Sequence, residues 1–306
     1  MANNRTVGEF ILEGLMNLHG RLPLYYQRKV GTFLGWLTGD VFSYRKDVVI
    51  TNIARSFPDF SYDKVKVTAK QFYRHFGKVF AEMAWFGAYK GEKARRRLID
   101  SHIVEISNPE VLNAVLKENP KVVLLESHSG NWELIGGILQ YAYNASGLDF
   151  DSNSICVTYA ALHNPTWDRI VGRNRMAPVC DRDFKGYVEF NHILRYALEN
   201  RHNKMVYTFI TDQFPYRASA SRVEFMHQPT IMMTGGTALA AKMDMAVVYL
   251  RFAEREDGGY TMTFVPIAEH AAGQDPEQLM RQYYKLLEED LRQQPWNYLW
   301  THKRWK

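Results

Sequence analysis

The sequence predicts an α/β fold whose central, largely parallel sheet is flanked by helices. Between residues 121 and 266, short apolar runs typical of strands alternate with longer segments of helical periodicity. This alternation is typical of parallel strands connected by crossover helices. The clearest strand is the apolar run 122–125, and an unbroken run is expected where both faces of a sheet are buried. The chain has 306 residues, 46% of them hydrophobic, which is enough for such a core.

The segment before this region, residues 1–60, is predicted to be helical and to associate with a membrane, while residues 61–306 form the α/β domain. Two apolar stripes have helical spacing, and they consist of Phe10, Ile11, Leu15 and Leu18, then of Phe33, Trp36, Leu37 and Val41. The same stripes are compatible with packing in the core, and their spacing does not choose between the two. No run of 18 or more apolar residues occurs, so we predict no helix that spans a membrane.

The charge balance favours an anionic partner. Lys and Arg number 38 against 33 Asp and Glu, which gives a net charge of +5. That charge suits an acidic protein, a phospholipid surface or a phosphorylated substrate. A basic cluster either binds such phosphates or is a solvated helix face, and it consists of Lys90, Lys93, Arg95, Arg96 and Arg97. No basic stripe belongs to a known nucleic-acid-binding motif, so we predict no nucleic-acid partner.

The two cysteines, Cys156 and Cys180, form no CxxC motif and no disulfide framework, and we expect them to be small buried residues. The sequence also contains no HExxH motif and no Cys/His cluster of the kind that binds zinc. We therefore predict neither a cofactor nor a metal site.

The candidate catalytic pair is His128 and Glu133, which stand five positions apart after the strand 122–125. Inside one helix they would point about 140° apart, so they meet only if His128 lies in the loop and Glu133 in the first helical turn. A carboxylate there would hold the imidazole tautomer and stabilise the imidazolium, which leaves His128 as a general base toward a hydroxyl. Spacing alone leaves open an ordinary loop histidine and an exposed glutamate.

Residues 124–133, which end in Asn131-Trp132-Glu133, resemble the His-x4-Asp/Glu block of glycerolipid acyltransferases, and more closely that of the lipid A lauroyl/myristoyl acyltransferase family. The resemblance extends over about residues 20–306, because five further blocks match in order. They are Tyr44-Arg45-Lys46 through Asn52 to Phe57-Pro58; Phe72-Tyr73-Arg74-His75-Phe76; Asn164-Pro165 with Arg173-Asn174-Arg175; Thr211-Asp212-Gln213; and the closing run 295–305.

The resemblance implies transfer of a fatty acyl group from acyl carrier protein to a hydroxyl of a lipid A precursor. It also implies a peripheral or monotopic enzyme on the cytoplasmic face of the bacterial inner membrane. His128 would be the general base and Glu133 its partner. One of Arg173 and Arg175, together with Asp212, would place the thioester or the acceptor and steady the developing oxyanion. The pattern does not separate the two arginines.

Three alternatives remain at this stage. In the first, the acceptor is another glycolipid or an aminolipid. In the second, the chain is a non-catalytic lipid-binding relative, although such a relative would have no need of His128 and Glu133. A serine hydrolase is disfavoured because the chain has no Gly-x-Ser-x-Gly motif. The sequence fixes neither the acyl chain length, nor the choice between acyl carrier protein and coenzyme A as donor, nor the oligomeric state.

Overall fold

The computed structural model describes residues 7–142, 147–162, 164–179, 183–215 and 221–305. Its α-helices are α1 (Val7–Gly20), α2 (Leu24–Trp36), α3 (Lys46–Ser56), α4 (Tyr62–Phe86), α5 (Glu92–Ser101), α6 (Pro109–Glu118), α7 (Pro165–Arg175), α8 (Ile193–Glu199), α9 (Gly235–Met243) and α10 (Pro276–Gln293). A π-helical turn, Leu37–Val41, continues α2, and 3-10 helices are formed by Trp132–Gln140, Ser152–Ser154 and Phe190–His192.

The strands are β1 (Val104–Ile106), β2 (Lys121–Glu126), β3 (Ile155–Tyr159), β4 (Tyr187–Glu189), β5 (Met205–Ile210), β6 (Arg222–Phe225), β7 (Gln228–Ile231), β8 (Ala246–Glu254) and β9 (Tyr260–Ala268). Seven of them form one sheet in the order β1-β9-β8-β2-β5-β3-β4, and β6 pairs with β7 in a separate hairpin. Within the seven-stranded sheet of the described residues, only β8 and β9 pair antiparallel. The largely parallel sheet flanked by helices is therefore confirmed.

The central strand β2 is buried on both faces. Val123 and Leu125 belong to an apolar cluster with residues of α3, α4 and α10, whereas Val122 and Leu124 belong to a second cluster with residues of α5 and α6. Helices thus cover both sides of the sheet, which is why β2 reads as an unbroken apolar run. Cys156 of β3 is buried, as expected, whereas Cys180 lies outside the described residues.

The register of the central strands determines where the two central loops meet. Strand β2 pairs parallel with β5, so that Glu126 lies beside Ile210. His128 and Asp212 each follow two residues later, so the two residues emerge side by side at the carboxyl edge of the sheet. This edge is where open parallel α/β sheets place their ligand sites.

Glycines bring α2 into backbone contact with α4. A Cβ atom added at Gly35 would lie 2.0 Å from the Tyr73 carbonyl oxygen, and one added at Gly77 would lie 2.1 Å from the Gly31 carbonyl oxygen. Both distances are far below van der Waals contact, so these positions require glycine. The glycines that interrupt the apolar N-terminal sequence therefore serve close helix packing.

Both predicted N-terminal stripes lie largely at the surface. Phe10 and Leu18 are 69% and 67% exposed, and Phe33 is 55% exposed. The structure therefore does not support the alternative in which these side chains pack in the core. Among the described residues, no helix has both the length and the apolar character needed to cross a membrane.

The apolar spacing after Asn131 predicts a helix over residues 132–143. The structure has a 3-10 helix there that ends at Gln140, and residue 143 lies outside the described residues. A Cβ atom added at Gly136 would lie 2.0 Å from the Arg175 carbonyl oxygen, so the end of α7 packs directly on this segment. Runs of 3-10 helix longer than three or four residues are uncommon.

Candidate active site

The centre of the site is an imidazole–carboxylate pair formed across the two central loops. His128 Nδ1 lies 2.7 Å from Asp212 Oδ1. The Asp212 side chain is almost fully buried, whereas that of His128 remains 16% exposed. Asp212 therefore binds the His128 ring from the protein interior, while part of the His128 side chain remains exposed to solvent.

The charge state of Asp212 defines the tautomer of this ring. Burial alone would raise the pKa of the Asp212 carboxyl, but the attraction and hydrogen bond of His128, with backbone hydrogen bonds, outweigh it and lower the pKa. An ionised Asp212 accepts the Nδ1–H, so the neutral imidazole carries its lone pair on Nε2. The amide nitrogen of Gln213 lies 2.9 Å from Nε2 and donates to that lone pair.

Glu133 binds Arg175 rather than the imidazole. Its two carboxylate oxygens accept hydrogen bonds from Arg175 Nε at 2.8 Å and Nη2 at 2.7 Å, and Trp132 Nε1 donates to one of them at 3.0 Å. Within the described residues no hydrogen bond joins Glu133 to His128. The ring of Trp132 lies edge-on to that of His128, with 5.2 Å between centroids, so the two polar pairs are neighbours.

The structure separates the two candidate arginines of α7. Arg173 and Arg175 are two residues apart, which places them on opposite sides of a helix. Arg173 Nη1 donates to Glu13 of α1 at 2.9 Å, whereas Arg175 binds Glu133 near His128. Burial alone would lower the pKa of Arg175, but the Glu133 carboxylate raises it, so the guanidinium stays charged.

The loop that carries His128 is anchored by polar side chains on both flanks of Gly130, whose φ of +61° suits glycine. His75 Nε2 donates to the Gly130 carbonyl oxygen at 3.0 Å, and the Gly130 N–H donates to Asn297 Oδ1 at 2.6 Å. One residue on, Asn131 Nδ2 donates to Glu82 Oε2 at 2.9 Å. Helix α4 and the chain end thus hold this loop in place.

The loop that carries Asp212 is held by the closing segment, residues 295–305, and by α10. Tyr298 Oη lies 3.5 Å from the Asp212 carbonyl oxygen, and the Phe214 N–H donates to His302 Nε2 at 3.2 Å. Tyr284 of α10 donates to the Thr211 carbonyl oxygen at 3.3 Å. The same segment therefore supports both loops of the site.

His75, Asn297 and Gln213 lie in the sequence blocks that match the family, but the sequence indicates no role for them. The sequence signal that could have identified them is their position in blocks that also contain candidate site residues, as Gln213 follows Asp212. Their contacts depend on pairings between residues far apart in the chain, which spacing does not reveal.

A further carboxyl group lies beneath the site. Glu126 ends β2 and is buried, which raises the pKa of its carboxyl to about 8, partly opposed by the charge of Arg175. Among the described residues its Oε1 atom has no hydrogen-bond partner. At neutral pH this carboxyl is therefore mostly protonated.

A cavity of about 270 Å³ lies beside the Arg175–Glu133 pair. Most of its lining side chains are apolar and come from the 3-10 helix 132–140, from residues 148–157 and from the segment before β4; they include Ile138, Leu139, Phe150, Ile155, Val157 and Phe184. Arg175 forms part of its wall, so the cavity adjoins the polar residues of the site.

A family model and individual relatives point to the same protein family. The family model described as "Bacterial lipid A biosynthesis acyltransferase" matches residues 2–306. The chain is 24% identical to a "Lipid A biosynthesis acyltransferase" of Haemophilus influenzae over 93% of this chain and 86% of that protein. It is 22% identical to a "Lipid A biosynthesis palmitoleoyltransferase" of Escherichia coli over 96% of this chain and 89% of that protein.

Proposed function

The chain belongs to the bacterial lipid A biosynthesis acyltransferase family, and from this we propose that it moves a fatty acyl group from acyl carrier protein to a hydroxyl of a lipid A precursor. The observation that carries the mechanism is His128, whose Nδ1 is hydrogen-bonded to the buried Asp212 and whose side chain remains 16% exposed. That arrangement is what a general base for a lipid hydroxyl requires.

The reaction then follows from the tautomer. His128 Nε2 takes the proton of the acceptor hydroxyl as its oxygen attacks the carbonyl carbon of the thioester. The resulting oxyanion collapses, the carbon–sulfur bond breaks, and the thiolate recovers the proton from the imidazolium. Ionised Asp212 holds the Nδ1–H throughout and stabilises the imidazolium, as the carboxylate does in a Ser-His-Asp triad.

The role first expected of Glu133 is better assigned to Asp212, since Asp212 is the carboxylate that binds His128. In this proposal Glu133 instead fixes the planar guanidinium of Arg175 through two hydrogen bonds. Arg175, and not Arg173, then presents its charge toward the thioester and steadies the developing oxyanion. The adjoining apolar cavity suits the first part of the acyl chain.

Membrane association is proposed for the segment 1–60, at the cytoplasmic face of the inner membrane. Large apolar side chains of α1 and α2 are exposed there, and among them are Phe10, Ile11, Leu15, Leu18, Phe33, Leu34 and Trp36. An exposed apolar face of this size favours insertion into a lipid surface, and the net charge of +5 adds attraction to anionic lipids.

The test is a transfer assay with purified protein, labelled acyl-acyl carrier protein and a lipid A precursor. Wild type should acylate the precursor, and His128→Ala should lose about a hundredfold or more of that rate. The matched control is His202→Ala, which removes an exposed histidine from another part of the fold. Acyl-coenzyme A in place of the carrier protein distinguishes the two donors.

Full activity of His128→Ala would overturn the assignment of the base. Transfer to a different extracted lipid, but not to the precursor, would keep the mechanism and change the acceptor to another glycolipid or an aminolipid.

A further inference from the structure

The reactive nitrogen of His128 is already occupied in the structure. Gln213 Nε2 lies 2.9 Å from His128 Nε2, at the distance and on the atom that an acceptor hydroxyl needs for proton transfer. Because Nδ1 donates its proton to Asp212, Nε2 carries a lone pair and can only accept a hydrogen bond. The Gln213 amide N–H supplies the donor. Two adjacent residues of one loop thus hold both ring nitrogens.

The Gln213 side chain is free to leave this position without disturbing the loop. In the described part of the chain its one hydrogen bond is to His128, and it is only partly buried. The backbone around it is held independently, by the bond between the Phe214 N–H and His302 and by the buried Asp212. Rotation of one side chain therefore exposes the Nε2 lone pair.

We propose that Gln213 is a placeholder for the acceptor hydroxyl, and that it limits hydrolysis of the acyl thioester while no acceptor is bound. This inference rests on the proposed transfer reaction. A lipid acceptor, bound along its whole surface, displaces the amide and places its hydroxyl on Nε2. A single water molecule lacks that binding energy and must compete with the amide for the lone pair.

The two outcomes use the same bonds. With acceptor bound, the hydroxyl proton passes to Nε2, the oxygen bonds to the thioester carbon, and the carbon–sulfur bond breaks to give a lipid ester and a thiol. With water in its place, the same steps give a fatty acid and a thiol. Gln213 gains and loses no covalent bond in either path, so it is a positioning residue that selects the nucleophile.

The experiment measures the partition between the two products, lipid ester and free fatty acid, from labelled acyl-acyl carrier protein with and without a lipid acceptor. Gln213→Met keeps the length of the side chain and removes its donor, and Gln213→Asn keeps the amide but is too short to reach Nε2. Both should raise the rate of hydrolysis without acceptor about three- to tenfold relative to the rate of transfer at saturating acceptor, since one neutral hydrogen bond no longer opposes water.

Gln213→Glu should behave in the opposite way. A carboxylate accepts from Nε2–H and stabilises the imidazolium, so the base is protonated and both products should fall more than about tenfold. The matched control is Gln228→Met, which removes a buried amide of β7 that contacts Ser56 and not His128. It should leave the partition unchanged even if it lowers stability.

An unchanged partition in both Gln213→Met and Gln213→Asn, with transfer by wild type intact, would overturn the placeholder role alone. Absence of transfer by wild type to every lipid acceptor would overturn the proposed function and this inference with it. A raised partition in the two variants, with no change in the Gln228 control, would support it.

Discussion

Two carboxyl groups at the same edge of the sheet differ in protonation at neutral pH: that of Asp212 is ionised and that of Glu126 is mostly protonated. Asp212 is buried beside His128, whose attraction and hydrogen bond overcome the effect of burial and lower its pKa. Glu126 is also buried, and within the described ranges no cation is bonded to it, so burial raises its pKa to about 8. The partner, and not the depth of burial, therefore decides which carboxyl is ionised at neutral pH.

The raised pKa of Glu126 predicts a pH-dependent stability penalty that Glu126→Gln removes. In the unfolded chain this carboxyl ionises near 4.5, but in the folded chain it stays protonated to about pH 8. Ionisation of Glu126 therefore favours the unfolded chain above pH 4.5. Relative to its value below pH 4.5, the unfolding free energy of wild type falls as the pH rises toward 8. The gain in unfolding free energy of the variant over wild type should grow by roughly 2 to 3 kcal/mol between pH 4.5 and 7.

Urea denaturation of both proteins at several pH values across this window measures that difference. A difference that stays constant with pH would mean that Glu126 has an ordinary pKa in the folded chain. The slope is a better readout than any single value, because the added amide also needs a partner and that cost does not depend on pH.

The two arginines of α7 offer a matched comparison. Arg175→Lys removes the planar fork that binds both oxygens of Glu133, and transfer should fall about ten- to hundredfold. Arg173→Lys acts on a bond to Glu13 of α1 and should leave transfer within about twofold of wild type, since a partly exposed ion pair contributes little. Equal losses in the steady-state assay would contradict the separation of their roles.

Among the elements, α4 links the surface helices to the site. On one side it meets α2 at Gly31 and Gly35, and on the other it supplies His75 and Glu82 to the loop of His128. Arg28 of α2 also donates to Glu82 at 3.1 Å. The packing of α2 therefore affects the geometry of the loop that carries His128.

Gly35→Ala should destabilise the protein by about 1 to 3 kcal/mol, because the new methyl group meets the Tyr73 carbonyl and forces the helices apart. The control is Gly14→Ala in α1, where an added Cβ would meet nothing within 4 Å and helix propensity should slightly raise stability. Thermal unfolding of the two variants measures both effects. Equal stability would show that α2 moves aside freely.

The elements that the sequence predicts well are those with a local signal, such as β2, with its unbroken apolar run. The short strands β1 and β4 and the β6–β7 hairpin were missed, because three or four residues carry too little periodicity. The pairing of His128 with Asp212 was missed for another reason. It depends on the parallel register of β2 and β5, whereas the family resemblance pointed to Glu133.

On the scale of the whole molecule, α4 contacts both the helix α2, which exposes apolar side chains, and the loop that carries His128. Replacing three exposed side chains, Phe10→Ser, Leu18→Ser and Phe33→Ser, should lower affinity for anionic vesicles more than about tenfold, since each buried side chain contributes about 1.5 to 3 kcal/mol. The control replaces Phe190 and Leu198, which are exposed on another part of the fold. Vesicle flotation compares them, and equal flotation would rule out α1 and α2 as the membrane surface.

The central claim is that Asp212, and not Glu133, orients the base. The most direct measurement is the kcat of transfer for Asp212→Asn and Glu133→Gln beside wild type, with unfolding curves as a check on folding. We predict that Asp212→Asn lowers kcat about a hundredfold or more, because the amide no longer holds the Nδ1–H tautomer. Glu133→Gln should lower kcat by a smaller factor, because it loosens the guanidinium of Arg175 but leaves the base and its tautomer in place. A loss in Glu133→Gln as large as in His128→Ala, with Asp212→Asn near wild type, would contradict the account.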